Sequence, residues 1–225
     1  MYREYFMKTM KRIVKKNRKL LSENFFRPQI EKKMRRLLHN KDATIFSCNC
    51  TGGVMLHDLG LKFNTPTVNF FFHADDYLKF IMNYEKYINL PVLEVKYHDK
   101  SYPVASIGDI KCYLVHYESV EEFKRIWDRR KKRINPDNIY LVWCDRDGFS
   151  EEMLELFAKI EYPKVFFSHK PYPEYEFVVY LPEFSSESQV GTITEWSDKY
   201  GYKWFDKHFD YVKWLNGQNV KKCLR

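Results

Sequence analysis

Two aspartates separated by one residue follow an apolar run that is typical of a buried strand. The run is Ile139–Cys144, and Asp145 and Asp147 come directly after it. In extended backbone, residues two apart point to the same side, so we expect both carboxylates to face one ion. Hard cations take oxygen ligands and complete their shells with substrate phosphates. The pattern predicts a Mn²⁺ or Mg²⁺ site; the alternative is an ordinary Asp-Gly turn.

A second polar turn follows the short apolar run at 43–47. It contains Asn49, Gly52 and Gly53 and leads into a predicted helix. Backbone N–H groups at a helix start attract anions, so the turn is a candidate phosphate cradle. The alternative is a tight turn in which Gly52 or Gly53 has a positive φ.

Cys50 lies in the same turn and is a candidate nucleophile. A thiol at a helix start has a lowered pKa when it is exposed, and His57 or His116 would then serve as the base. Buried structural cysteines are the more frequent situation, however. Cys50 is therefore a catalytic candidate whose alternative is simple packing.

Cationic and imidazole groups complete the set of candidates. Arg129, Arg130 and Arg133 lie on adjacent turns of a predicted helix end, where they would clamp phosphate. The alternative is a solvated basic helix end that stabilises its own C-terminal carbonyls. His116 and His169 follow predicted strands and are candidate general bases, although structural histidines are more common.

Hydrophobic periodicity indicates alternating strands and helices. Predicted strands lie at 43–47, 67–72, 92–97, 110–116, 139–144, 164–168 and 175–181. Predicted helices lie at 53–59, 75–89, 119–134, 150–160 and 204–215. This order predicts an α/β fold with a mainly parallel, Rossmann-like sheet and flanking helices. Ligands of such sheets bind outside the carboxyl ends of the strands, where the polar turns above are expected.

The first 42 residues carry most of the excess positive charge. They hold 14 Lys and Arg against four acidic residues, whereas the other 183 residues hold 24 basic and 26 acidic residues. The sequence thus predicts a basic amphipathic helical arm at 1–42 and an α/β domain at 43–225. Such an arm fits an anionic membrane surface. The alternatives are a basic helix packed on the domain and, less favoured, nucleic acid binding.

Composition places the chain in the cytoplasm. The longest apolar runs are far shorter than 18 residues, and the N-terminus lacks a secretion signal. Five cysteines in 225 residues do not suggest a disulfide framework. We therefore expect a cytoplasmic protein, peripheral at the inner face of the cell membrane.

The ordered set of short motifs resembles the DUF1919 family of bacterial proteins, often labelled exopolysaccharide biosynthesis proteins. The motifs span roughly residues 43–216: Asn49-Cys50-x-Gly52-Gly53, Asp58-Leu59-Gly60, Asn64-Thr65-Pro66-Thr67, Asp76-Tyr77-x-Lys79, His116-Tyr117, Trp127-x-Arg129-Arg130-x-x-Arg133-Ile134-Asn135, Asn138-Ile139, Asp145-Arg146-Asp147-Gly148 and Phe209-Asp210-Tyr211-Val212-x-Trp214-Leu215-Asn216. Cys48 departs from the family pattern, which has a second Asn there. The resemblance implies an α/β fold and work on cell-surface polysaccharide.

Together these features predict a transferase in capsule or exopolysaccharide synthesis. The favoured reaction is glycosyl transfer from a phosphate-bearing sugar donor to a glycan acceptor. Asp145 and Asp147 resemble the D-x-D pair that holds a metal diphosphate in nucleotide-sugar glycosyltransferases, and a histidine would be the base. The alternatives are acyl transfer using Cys50 or His116, and a non-catalytic subunit docked on the membrane.

Overall fold

The computed structural model describes residues 20, 22–97 and 99–225. Its strands are β1 (Thr44–Ser47), β2 (Val92–Val95), β3 (Val104–Ile107), β4 (Ile110–Tyr113), β5 (Ile139–Cys144), β6 (Lys164–Ser168) and β7 (Val178–Tyr180). Its α-helices are α1 (Arg27–Leu37), α2 (Thr51–Asp58), α3 (Ala74–Met82), α4 (Tyr84–Asn89), α5 (Val120–Lys131), α6 (Glu151–Ala158), α7 (Trp204–His208), α8 (Tyr211–Leu215) and α9 (Val220–Cys223). A π-helical turn (Ser22–Phe26) precedes α1, and a 3₁₀ turn (Pro182–Phe184) follows β7.

A four-stranded parallel sheet in the order β1-β5-β6-β7 forms the centre of the fold. All six residues of β5 are buried, as expected for a central strand covered by helices on both faces. A second, antiparallel sheet has the order β2-β3-β4. The expected α/β fold with a mainly parallel sheet is therefore confirmed. The antiparallel sheet and its strand β3 were not predicted from the sequence.

The strand predicted at 67–72 does not form. Asn69 has a positive φ of 68°, which interrupts extended backbone. Only Phe71 makes an isolated bridge, to Tyr113 at the end of β4. The side chain of Tyr117 donates a hydrogen bond to the Val68 carbonyl (2.8 Å) and so takes up an acceptor that a strand neighbour would otherwise use. The segment is a structured connection between α2 and α3.

Helix α1 is part of the folded body, although its sequence lies in the predicted basic arm. Met34 and Leu38 belong to the hydrophobic core, and Arg27 is almost fully buried. A body that begins at residue 43 would therefore lack part of its core, and the segment 27–38 follows the alternative of a basic helix packed on the domain. The amphipathic helix expected at the N-terminus falls on residues 1–19 and 21, outside the described residues.

A buried cluster of charges joins α1 to the rest of the chain. Arg27 forms ion pairs with Asp58 at the end of α2 and with Asp206 in α7. Lys203 adds a second cation, with its Nζ 2.6 Å from an Asp58 oxygen. Burial opposes ionisation of Asp58, but Arg27 and Lys203 outweigh it and hold the pKa of this carboxyl below its usual value. Two cations thus balance two anions in the interior.

Candidate functional site

The carboxyl ends of β5 and β6 bring Asp145 and His169 together. Asp145 follows β5, His169 follows β6, and the parallel register sets the two strand ends side by side. The Nδ1 atom of His169 lies 2.6 Å from the Asp145 Oδ2 atom. The same oxygen accepts hydrogen bonds from the Ser168 hydroxyl (2.8 Å) and the His169 backbone N–H (2.7 Å). The other oxygen accepts one from the Val190 backbone N–H (2.8 Å).

These contacts determine the orientation of the imidazole. Four hydrogen bonds to two oxygens match the acceptor capacity of an ionised carboxylate, so His169 donates through Nδ1. In the neutral ring this leaves Nε2 with a lone pair, and Nε2 has no hydrogen-bond partner among the described residues. The Asp145 side chain is 1% exposed and that of His169 is 11% exposed. The imidazole is therefore held by a buried carboxylate and still reaches solvent.

A cavity of about 280 Å³ opens at this pair. Aromatic and polar side chains line it together: Asp145, Gly148, Phe149, Ser150, Glu151, His169, Lys170, Tyr172, Ser188 and Gln189. Across its mouth, Glu151 accepts hydrogen bonds from the Lys170 ammonium (3.2 Å) and the Tyr172 hydroxyl (3.1 Å). Burial and this bond raise the pKa of Tyr172 to about 12, so its hydroxyl stays protonated and can donate at neutral pH.

Ser188 and Gln189 form one wall of the cavity, and hydrogen bonds hold the chain that follows them to two residues at the end of β5. Val190 binds Asp145, as described above, and the Arg146 guanidinium donates to the Gly191 carbonyl (3.1 Å). A Cβ atom on Gly191 would lie 2.7 Å from the Phe184 ring, so this close approach requires glycine. The segment is thereby held against the end of β5.

Asp147 does not have the extended backbone that the sequence argument assumed. Its backbone has a positive φ of 58°, so the extended geometry assumed from the sequence is wrong at this position. Its carbonyl accepts the Ala74 backbone N–H (2.9 Å), and burial raises the pKa of its carboxyl. Asp145 already accepts four hydrogen bonds. Among the described residues no group of three or more His, Cys, Asp or Glu is placed to hold a metal ion. The Mn²⁺ or Mg²⁺ site expected at Asp145 and Asp147 therefore stays a prediction.

The predicted phosphate cradle has its donors occupied within the protein. Asn49 accepts hydrogen bonds from both the backbone N–H (3.0 Å) and the hydroxyl (2.7 Å) of Thr51, the first residue of α2. The Gly52 N–H donates to the Ser47 hydroxyl (3.1 Å). Gly52 and Gly53 are both buried in α2, and neither has a positive φ, so the tight-turn alternative is wrong as well. Their role is close packing against β1 and Val68.

Gly52→Ala is expected to destabilise the fold by about 1–3 kcal/mol, the usual cost of overpacking a core. The new Cβ would lie 2.7 Å from the Ser47 Cβ and 2.9 Å from the Ile45 Cγ2. Chemical denaturation measures the effect. Gly53→Ala is the matched control, since its Cβ meets only a Val68 methyl group at 3.0 Å and the loss should be smaller. A Gly52→Ala chain more stable than wild type would contradict the packing argument.

The cysteines of this region are packing groups. Burial raises the pKa of the Cys50 thiol, so the thiolate needed for attack is disfavoured. Cys48 and Cys144 are buried with their Sγ atoms 3.7 Å apart, and the Asn49 amide donates to the Cys144 sulfur (3.3 Å). The geometry thus favours the packing alternative for Cys50.

Cys50→Ser is accordingly expected to leave activity within about threefold of wild type, because no thiolate takes part. Slow modification of the native chain by iodoacetamide at neutral pH provides an independent check. A loss of activity by orders of magnitude at unchanged melting temperature would restore Cys50 as nucleophile.

The three arginines lie at the opposite edge of the sheet. The Asn135 backbone N–H donates to the Thr44 hydroxyl (2.9 Å), which places the chain just after α5 beside the start of β1. The six residues of β5 separate the two edges by roughly 20 Å at about 3.3 Å per residue. Arg130 is buried and contacts the Tyr117 hydroxyl (3.3 Å), whereas Arg129 and Arg133 are exposed. This placement gives no support to a phosphate clamp at Asp145, and the role expected for the three arginines stays a prediction.

His57, His73 and His116 lie outside the lining of the cavity at His169. His116 is exposed and has no hydrogen-bond partner among the described residues, and His57 is exposed near the end of α2 beside Asp58. His73 caps α3 with its Nδ1 3.2 Å from the Asp147 carbonyl, so it supports the loop after β5. Sequence reasoning missed the cavity-lining Phe149, Tyr172 and Gln189. The Ser168-His169 pair at a strand end was the one available signal.

Comparison with known proteins agrees with this architecture. The chain matches the model of a family described as "Domain of unknown function (DUF1919)" over residues 21–216. The chain belongs to the DUF1919 family. The DUF1919 match begins at residue 21 rather than 43, in keeping with the packing of α1 on the core. A protein of Haemophilus influenzae described as "Uncharacterized protein" is 38% identical over 188 residues, which are 83% of this chain and 90% of that protein. No helix among the described residues of this DUF1919 chain has the length and apolar character needed to span a membrane.

Proposed function

We propose that this chain is a transferase that moves an acyl group onto a carbohydrate hydroxyl, with His169 as the general base. The observation that carries the proposal is the imidazole held by buried Asp145 in the lining of the cavity. A positioned histidine of this kind accelerates proton transfer by about 10²–10⁴-fold. Asp145 orients the ring and stabilises the imidazolium that forms, as the aspartate does in serine protease triads.

The cavity supports a carbohydrate acceptor. The rings of Phe149 and Tyr172 offer apolar faces, while Glu151, Ser188 and Gln189 offer hydrogen-bonding groups for hydroxyls. Resemblance to proteins labelled exopolysaccharide biosynthesis proteins supports a cell-surface glycan as the acceptor class. Peripheral attachment to the inner face of the membrane belongs to the same proposal, because polysaccharide precursors are assembled there.

The reaction balances with an acyl thioester as donor. The acceptor hydroxyl loses its proton to Nε2 of His169, and its oxygen bonds to the acyl carbon. The carbon–sulfur bond of the thioester breaks, and the proton on Nε2 passes to the departing thiolate. Lys170 lines the cavity and carries N–H donors beyond the one that binds Glu151, so it can stabilise the oxyanion formed on the way.

The geometry gives less support to glycosyl transfer from a nucleotide sugar. That reaction needs groups that hold and neutralise a diphosphate, and here Asp145 is engaged by four donors while the three arginines lie at the far edge. Cys50 and His116 are not the groups that this arrangement presents to an acyl donor. His169 takes the role instead.

A thermal-shift screen of the full chain distinguishes the donors, since a ligand that binds only the native state raises the melting temperature. The probes are acetyl-CoA, CoA and UDP-sugars with and without Mn²⁺. We expect a shift with the CoA compounds. A shift that requires a UDP-sugar and Mn²⁺ together, and that Asp147→Asn removes, would overturn acyl transfer in favour of the metal-dependent reaction.

A further inference from the structure

A second cavity, of about 630 Å³, lies at the amino edge of the parallel sheet. Three connections meet there: the segment between α1 and β1, the segment after α2, and the segment after α5. They supply Lys41, Asp42, Gly60, Leu61, Lys62, Asn64 and Arg133, and we call this cavity the basic cleft. The neighbouring Thr44 backbone N–H donates to the Asn138 carbonyl (2.9 Å), which fixes the cleft beside the starts of β1 and β5.

The charges of the basic cleft are unbalanced. Lys41, Lys62 and Arg133 are exposed, and none of them forms an ion pair with another described residue. Asp42 is the one acid in the lining, and amide groups already occupy both of its oxygens. Asn64 donates to one oxygen (2.7 Å) and Asn135 to the other (2.8 Å). The lining therefore carries three exposed cations against one carboxylate, a net charge of +2, which favours an anionic ligand.

The surroundings of the basic cleft extend this positive surface. Arg129 and Lys132 are exposed next to Arg133, and Arg36 and Leu37 are exposed near the end of α1. Cations combined with apolar side chains are the features that an anionic lipid surface attracts.

We propose that the basic cleft binds the phosphate of an anionic phospholipid headgroup and so places the amino edge of the sheet against the membrane. The cavity at His169 lies at the opposite edge, roughly 20 Å away along β5. Lipid contact therefore leaves that cavity open to its substrates. This inference does not depend on the proposed reaction, because it rests on different residues and a different edge.

The test uses the full chain and vesicles of phosphatidylglycerol or phosphatidylcholine in a sedimentation assay. The test variant carries the substitutions K41Q, K62Q and R133Q. The matched control removes three exposed cations that do not line the cleft: K96Q, K213Q and K222Q. Each cation near an anionic surface contributes roughly fivefold to binding, so three contribute on the order of one hundredfold.

We expect the test variant to bind phosphatidylglycerol vesicles at least tenfold more weakly than wild type. The affinity of the control variant should change less than threefold. Neither variant should bind phosphatidylcholine vesicles. The single variant R133Q, with an unchanged melting temperature, should already show a partial loss. Equal losses of vesicle binding in the test and control variants would contradict the proposal, because net charge alone would then account for binding. Tighter cleft-dependent binding of inorganic pyrophosphate or of a DNA duplex, with vesicle binding unaffected, would overturn the lipid as ligand.

Discussion

Arg27→Met is expected to lower the free energy of unfolding by about 3–5 kcal/mol, the usual cost of removing one partner of a buried ion pair. Methionine replaces much of the alkyl volume but leaves Asp206 without its cation, while Asp58 retains only Lys203. Both carboxylates are buried and cannot regain the hydration they have in the unfolded chain. Urea denaturation followed by circular dichroism measures the loss.

Arg36→Met is the matched control on the same helix. Arg36 is exposed and forms no ion pair with a described residue, so its substitution should change stability by less than about 0.5 kcal/mol. The double variant Arg27→Met/Asp206→Asn should regain part of the loss, because the uncompensated charge is removed with its partner. If Arg27→Met is as stable as wild type, α1 is not anchored through this cluster.

Asp145→Asn is expected to lower kcat by about 10²–10⁴-fold, because an amide no longer fixes the Nδ1–H tautomer of His169. The loss should fall on kcat more than on KM, since Asp145 lies behind the imidazole rather than against the substrate. The fold should also lose about 1–3 kcal/mol, because the buried donors meet an amide NH₂ group in place of an oxygen.

Asp147→Asn is the informative comparison, since it makes the same chemical change two residues away. Asp147 precedes the cavity-lining Gly148 but is not itself in the lining, and among the described residues it has no hydrogen bond to His169, so we expect kcat within about threefold of wild type. A large loss in Asp147→Asn together with a small one in Asp145→Asn would contradict the histidine account and favour the metal pair.

The sequence identified the strands that carry the site because they are buried apolar runs. Predicted and observed bounds agree for β5 and β6, and Asp145 and His169 were both recognised as polar groups at strand ends. Their pairing was not predictable, because it depends on β5 and β6 being neighbours in the sheet. The carboxylate was therefore assigned to a metal with Asp147, its neighbour in sequence rather than in space.

Features that tertiary packing decides were also the ones predicted wrongly. Charge counting cannot distinguish buried Arg27 from exposed Arg36, since both lie in one basic stretch. Glycines before a helix suggested an anion cradle, but close contact with β1 accounts for Gly52. A strand-like run at 67–72 gave no indication that Asn69 would adopt a positive φ.

The most direct test of whether His169 is the base compares His169→Gln with wild type. The measurement is the rate of CoA release from acetyl-CoA in the presence of a panel of sugar acceptors. Glutamine is similar in size and polarity but cannot take up the proton. We expect kcat to fall by about 10²–10⁴-fold, with the KM of acetyl-CoA and the melting temperature nearly unchanged. A His169→Gln chain that keeps the kcat of wild type would contradict the account.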